Sequence, residues 1–399
     1  MILLAASWVL PVSGPPIRDG CVAVDEGGII RWVGECGEEA PAGTLRDLGD
    51  GVLMPGLVNA HCHLELSHLR DLAQRTSGFV DWVETLVRER GAASAEDVRR
   101  KVASAVRAVD RDTATVAIGD VSNSLVSVEP LAESRMRAVV FHELLGWDGA
   151  QADAVLAAAQ ARLAGLPPGL AERGVTVKLA AHAPHSVSPE LFRALGAAGG
   201  AAAVHLAESS DECRFLLDGG GDWPAFLRRR GLGHVPYTPP GLSPVRYLDG
   251  LGALGAGLLA AHAVHADDAD LAILAARGVS VVVCPSSNRN LGVGVAPVPA
   301  LLAAGVRVCL GTDSLASGDE LDVAGEMAEI SWQYPEVTAA EVVRMATRNG
   351  ALALGFDDLG TLEPGRTAAL AFAPAAGAID DPERFVVEGE VHLKKVELS

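Results

Sequence analysis

Eight β-like runs alternate with Ala- and Leu-rich stretches through the middle of this 399-residue chain, and that alternation limits the possible folds more than any other feature. The runs are LVNAHCHL, TATVAIGDV, RAVVFHELLG, VTVKLAAHAP, AAAVHLAE, GLLAAHAV, VSVVVCPSS and VRVCLGTD. Helical composition fills the intervals, with one long stretch near 79–110 and others near 150–163, 266–277 and 338–353. Strand and helix alternating in this way is how stacked βα units around a parallel sheet are written. Eight units predict an α/β chain in which residues 57–358 form a closed (β/α)8 TIM barrel.

The two ends have a different texture. CVAVDEGGIIRWVGE and GTLRDLGDGVLMPG near the start, and GTLEPGRTAALAFAPAAG and RFVVEGEVHLKKVEL near the finish, are short β-rich runs punctuated by Gly and Pro. They predict a small β-sandwich domain built jointly from residues 1–56 and 359–399.

Charge and cysteine usage narrow the class. A formal net charge of -19 argues against broad contact with a phosphate backbone, which needs basic patches. Six cysteines, at 21, 36, 62, 213, 284 and 309, form no CxxC pair and read as reduced thiols of a cytosolic protein. The opening MILLAASWVLPVSG has no basic region ahead of its apolar core, so it reads as a first strand rather than a signal peptide. No apolar run reaches the roughly 18 residues of a membrane helix. The expectation is a cytoplasmic protein acting on a small molecule, with no nucleic-acid or membrane partner and a possible homodimer.

Function is concentrated where strands end, because barrel active sites gather at the C-terminal ends of the strands. His61 and His63 are one residue apart, so in a strand their rings share a face. His182, His205, His262 and Asp313 close four other runs. Imidazole and carboxylate donors suit one Zn, Fe(II) or Mn ion, and a catalytic ion needs a few protein ligands plus an open position. Glu208 follows His205 by three residues. It reads equally as a general acid-base group beside the ion or as an acid at a helix start. His262 ends its apolar run, whereas His265 falls in the loop. Asp313 fits a turn or helix cap as readily as a ligand on its own.

These motifs, in this order, resemble the amidohydrolase superfamily, in its deaminase and chlorohydrolase branch. The likeness rests on PGLVNAHCHLELS, AAHAPHSVSPELF, VHLAES, AHAVHADDADLAILAARGVSVVVCPSSNRNLGVG, CLGTDSLAS and ATRNGALALGFDDLGTLEPGRTAALAF, and covers nearly the whole chain. The resemblance implies one divalent metal ion, Zn or Fe(II), held by His61, His63, His205 and Asp313. It implies catalytic roles for Glu208, His262 and Asp313, and substrate contact by His182. Lys178, which precedes His182 in its strand by four residues, reads as non-ligating, so the site is expected to hold one metal rather than two.

HCHLELSHLR and GTDSLASGDELD look most like the aminodeoxyfutalosine deaminases, which implies 6-amino-6-deoxyfutalosine as the substrate. Glu65, His185 and Arg289 then join His182 as substrate-binding candidates, with His68 and Glu143 as further ones. Other members of the branch act on guanine, adenosine, thioadenosine or S-adenosylhomocysteine, or on other C–N or C–Cl bonds. A metal-binding scaffold without catalysis is a different class of reading, and the filled ligand and acid positions argue against it.

Overall fold

A computed structural model describes residues 1–388 and 391–398. Its strands, in chain order, are β1 (Ile2–Val9), β2 (Ile17–Val24), β3 (Ile30–Glu35), β4 (Thr44–Asp47), β5 (Gly51–Pro55), β6 (Leu57–Cys62), β7 (Thr115–Ser122), β8 (Arg137–Leu144), β9 (Val175–Ala181), β10 (Ala203–Leu206), β11 (Leu259–His262), β12 (Ser280–Val283), β13 (Arg307–Leu310), β14 (Leu370–Pro374) and β15 (Lys394–Lys395). The chain divides into two compact units, one of Met1–Ala60, Arg107–Ile118 and Asp322–Ser399, the other of His61–Val106 and Gly119–Leu321.

In the first unit, strands from both ends of the chain join one seven-stranded sheet of order β15-β14-β5-β1-β2-β3, with β4 also on β1. The sequence led us to expect a sandwich. Instead β1 pairs with β2, β4 and β5, while β14 pairs with β5, so the described strands share a single hydrogen-bonded sheet. Leu4, Val9, Val22, Ile30, Leu53 and Leu370 are buried together in its core.

Two further expectations change here. RFVVE, read as strand, belongs to the helix Pro382–Glu388. Cys21 and Cys36, read as reduced thiols, form a disulfide with Cα atoms 5.1 Å apart. The β2–β3 ladder brings them together by aligning Gly20 with Glu35 and Cys21 with Gly34, a tertiary fact that spacing alone does not carry. The other four cysteines are free.

All eight runs read as barrel strands are strands, β6 to β13, lying in two four-stranded sheets of order β6-β7-β8-β9 and β10-β11-β12-β13. β8 and β9 run parallel, as do all ladders of the second sheet. Backbone bonds also link the two sheets at both edges. Ala202 N donates to Leu179 O and His205 N to His182 O, each at 2.8 Å. At the other edge Thr312 N and Asp313 N donate to His61 O at 3.0 and 3.1 Å, and His63 N donates to Asp313 O at 3.3 Å.

The long helix expected near 79–110 is two, Phe79–Ala92 and Ala95–Asp112. Ala93 is extended, and the Ser94 hydroxyl accepts from Asp97 N at 3.1 Å, restarting the helix. Among the described residues no helix is long and apolar enough to cross a membrane.

Gly311, between β13 and Asp313, is where the two edges press closest. A Cβ there would lie 2.7 Å from His61 O and 2.8 Å from His61 Cβ. Backbone cannot yield as a side chain tip can. Gly311→Ala should therefore destabilise the fold by about 1–3 kcal/mol, the usual cost of overpacking. Chemical denaturation checks this, and an unchanged midpoint would show that the edge is looser than the structure makes it.

Candidate active site

The strand ends bring His61, His63, His205, His262, Asp313 and Glu208 together, with His262 the last residue of β11 and Glu208 and Asp313 just past the ends of β10 and β13. His63 Nε2 lies 3.1 Å from His205 Nε2. Asp313 Oδ1 is 3.8 Å from His61 Nε2 and 3.6 Å from His63 Nε2. The His61 ring centroid is 5.0 Å from those of both His63 and His205. One nitrogen from each of these three rings falls within 4.8 Å of the others, close enough to grip one ion.

Two of the rings are aimed by their other nitrogen. His205 Nδ1 donates to His182 O at 3.1 Å, which leaves Nε2 as the free lone pair. His262 Nδ1 donates to Asn288 Oδ1 at 3.0 Å. Asp313 Oδ2 accepts from the Ser287 and Ser317 hydroxyls at 2.6 and 2.8 Å, turning Oδ1 toward the rings. His262 and Asp313 both have positive φ, 74° and 56°, a strained setting for side-chain-bearing residues that clusters at functional sites.

The donor set fits a divalent metal ion. His61 Nε2 and His262 Nε2 are buried without any hydrogen-bond partner, an expensive state that a cation, or water held by one, would relieve. Burial, then the neighbouring His63, holds His61 well below the ordinary histidine range, and burial does the same to His205. Both are therefore in the neutral form that binds metal. Burial opposes ionisation of Asp313, but the facing His63, His262 and His61 rings and the Ser287 hydroxyl outweigh it and hold the carboxyl at about 2.

Glu208 Oε1 lies 3.6 Å from His262 Nε2. Burial, with the charges of Asp313 and Glu143 beside it, pushes this carboxyl well above the usual carboxylate range. It is not the helix-start acid that the sequence allowed. The helix Ser210–Asp218 is capped by Ser209, and Glu212 in its first turn accepts from Ala207 N and Glu208 N at 3.1 and 2.9 Å. Glu212 thus fixes the backbone while the Glu208 carboxyl faces the cavity.

This cavity opens to solvent. His182, His185 and Glu65 line it. Glu65 gets there differently, since β6 stops at Cys62 and Glu65 sits in the 3₁₀ turn Leu64–Leu69. His265 instead bonds to Val293 O at 2.8 Å, His68 bonds to Glu65 O at 3.0 Å, and Lys178 is exposed on β9.

Arg289 lies outside the cavity lining, where its Nη2 pairs with Asp319 Oδ2 at 3.0 Å. On the helix Pro285–Leu291, Ser287 and Asn288 take the buried positions, which turns the next residue outward. The arginine on the lining is Arg90, which the sequence reading passed over. It donates to Glu65 Oε1 at 2.6 Å and Asn123 Oδ1 at 2.7 Å. The signal was present: Phe79, Trp82, Val83, Leu86 and Val87 recur at helical spacing and end in Arg90, a charge closing an apolar stripe.

Histidines and carboxylates converging at the ends of βα-unit strands define the class of metal-dependent α/β hydrolases. The chain belongs to the amidohydrolase family, whose model matches residues 52–389. It is 33% identical over 92% of its length to a 5-methylthioadenosine/S-adenosylhomocysteine deaminase of Moorella thermoacetica, covering 84% of that protein. It is 35% identical over 76% of its length to an aminodeoxyfutalosine deaminase of Deinococcus radiodurans, covering 73% of it. In fold it is similar to the aminofutalosine deaminase of Helicobacter pylori solved with methylthio-coformycin, at a TM-score of 0.84, 23% identity and full coverage of both chains. It is also similar to a zinc-bound adenosine deaminase from Xanthomonas campestris, at a TM-score of 0.78 and 24% identity, covering 97% of this chain and 88% of that one.

Between the two paired histidines, Cys62 points the other way, its thiol 3.8 Å from Asp120 Oδ1. That same carboxyl oxygen accepts from Leu64 N at 2.8 Å, so Asp120 pins the backbone on the far side of His63. Asp120→Ala should then lower zinc occupancy and cost about 1–3 kcal/mol for the orphaned amide. Cys62→Ser should leave zinc occupancy unchanged. Metal analysis of the purified variants decides, and zinc loss in a folded Cys62→Ser protein would mean the strand face is reversed.

Proposed function

We propose that this chain is a metal-dependent hydrolytic deaminase of a 6-aminopurine nucleoside, releasing ammonia. The carrying observation is the Glu208 carboxyl, buried and raised beside His262, facing a cluster able to hold one divalent ion. His61, His63, His205 and Asp313 would hold that ion, zinc in the first instance. When bound, it lowers the pKa of water toward about 7 and so makes hydroxide available at neutral pH.

The side chains do the rest. Glu208, protonated at rest by its surroundings, gives its proton to a purine ring nitrogen and makes the adjacent carbon electrophilic. Water adds there and gives one proton to Asp313, which passes it to the leaving amine while His262 stabilises the developing charge on oxygen; the remaining hydroxyl proton returns to Glu208 as the carbonyl forms. One water is consumed, the C–N bond breaks, and ammonia leaves. His182, with His185 and Glu65, contacts the substrate.

Within this class we read the substrate as 6-amino-6-deoxyfutalosine. The aromatic wall of Phe79, Trp82 and Trp223 supports the flat ring of a benzoate-like group beyond the sugar, and the likeness to a deaminase of that name supports the same reading. 5′-Methylthioadenosine and S-adenosylhomocysteine form the second reading, favoured by the longer match to the Moorella protein. The edge-to-edge backbone bonds support a closed (β/α)8 barrel over 57–358, with 1–56 and 359–399 as an accessory domain.

An ammonia-release panel on zinc-loaded protein, spanning these three compounds, adenosine and guanine, tests the reading. No release from any nucleoside would sink it, while faster release from a thionucleoside would move only the substrate. Glu208→Gln should retain zinc and lose about 10²–10⁴ in kcat, the span of general acid-base catalysis. His262→Asn should fall in the same direction. A near-normal rate in either removes that residue from the mechanism.

A further inference from the structure

Glu143, at the end of β8, lines the same cavity and has an unusual feature: its Oε1 is buried without a hydrogen-bond partner. The other oxygen is occupied, since Asn123 Nδ2 donates to Oε2 at 2.9 Å. His205 Nδ1 is the nearest ring donor, 3.5 Å from Oε1, but it is already committed to His182 O. Asn123 is itself held, because Arg90 donates to its Oδ1. Glu65, Arg90, Asn123 and Glu143 thus form one hydrogen-bonded chain along the cavity wall, ending in a free carboxylate oxygen.

A buried acceptor left open costs free energy, and a ligand donor that fills it recovers that cost. We propose that Glu143 is a specificity residue that accepts a hydrogen bond from a sugar hydroxyl of the substrate, with Asn123 as its positioning residue. The proposal rests on the nucleoside reading above. A nucleoside offers few donors away from its reacting edge, and the ribose hydroxyls are the ones a carboxylate beside His205 would meet while the base lies over the histidine cluster. A site built around such a bond rejects the analogue lacking it, because the acceptor stays unpaired.

The experiment compares adenosine with 2′-deoxyadenosine and 3′-deoxyadenosine on zinc-loaded protein, in the natural sequence, Glu143→Gln and Asn123→Ala. The natural protein should prefer adenosine over one deoxy analogue by about 10- to 100-fold in kcat/KM, the worth of a hydrogen bond to a charged group. Glu143→Gln should bring that ratio toward one, chiefly through KM for adenosine, at unchanged zinc content. Asn123→Ala should move the ratio the same way by less. A ratio that survives in Glu143→Gln overturns the proposal. So does loss of zinc with that substitution, which would make Glu143 a support for His205, or loss of a second zinc, since Glu143, His182 and His205 lie within 4.8 Å. If the natural protein deaminates none of the three while deaminating another aminopurine nucleoside, the panel is repeated with that compound and its deoxy forms; if it deaminates no nucleoside, both readings fall together.

Discussion

Withdrawing His61, His205 and His262 from water, with His63 half-buried against them and beside Asp313 and Glu208, is the constraint around which the second unit is organised. In water these imidazoles would titrate near neutrality and turn freely. Here desolvation lowers His61, His205 and His262, and each of the last two spends one ring nitrogen on a fixed oxygen. What remains is a set of neutral lone pairs converging on one volume. Such an arrangement is costly in the free protein, and a cation recovers much of the cost.

Holding that arrangement requires rigid backbone at places where loops usually begin. Strain is accepted at Ala207, His262, Ala263 and Asp313, all with positive φ, and each lies within three residues of a strand's C-terminal end. Buried acids supply the counter-force. Asp120 holds the turn after His63 through Leu64 N, and Glu212 holds Ala207 N and Glu208 N. Burial raises the carboxyls of Asp120 and Glu212 to about 7 and about 8, so these supports are themselves close to losing or gaining a proton at neutral pH. The geometry of the histidine cluster is consequently a property of the shell behind it as much as of the residues that face the cavity.

Legibility in the sequence followed the range of the interactions involved. The eight strands could be read because each is a short apolar run, and the histidine cluster because a polar residue ending such a run is conspicuous by itself. Interactions set by register or by a partner element could not be read this way. Cys21 and Cys36 meet only through the β2–β3 ladder, and the ends of the chain make one sheet because β1 has several partners. Glu65 was assigned to the cavity on the assumption of a continuing strand, and reached it through a 3₁₀ turn instead. The direction of Arg289 depends on which way its helix faces: its neighbours Ser287 and Asn288 are buried while Arg289 is not.

Which way a helix faces also identifies what distinguishes this cavity from a bare metal site. Along Phe79–Ala92 the positions at 79, 82, 83, 86, 87 and 90 form one face, apolar until its last member. Phe79 stacks near Trp82 and meets Trp223 edge to face, with ring centroids 6.0 and 6.2 Å apart, and His185 stacks on Trp223 at 4.0 Å. This wall favours flat, apolar ligand surface. Arg90 then ends the stripe without adding a free cation, because Glu65 neutralises it and Asn123 shares its donors. Its charge is held against two acceptors along the wall, Glu65 and Asn123.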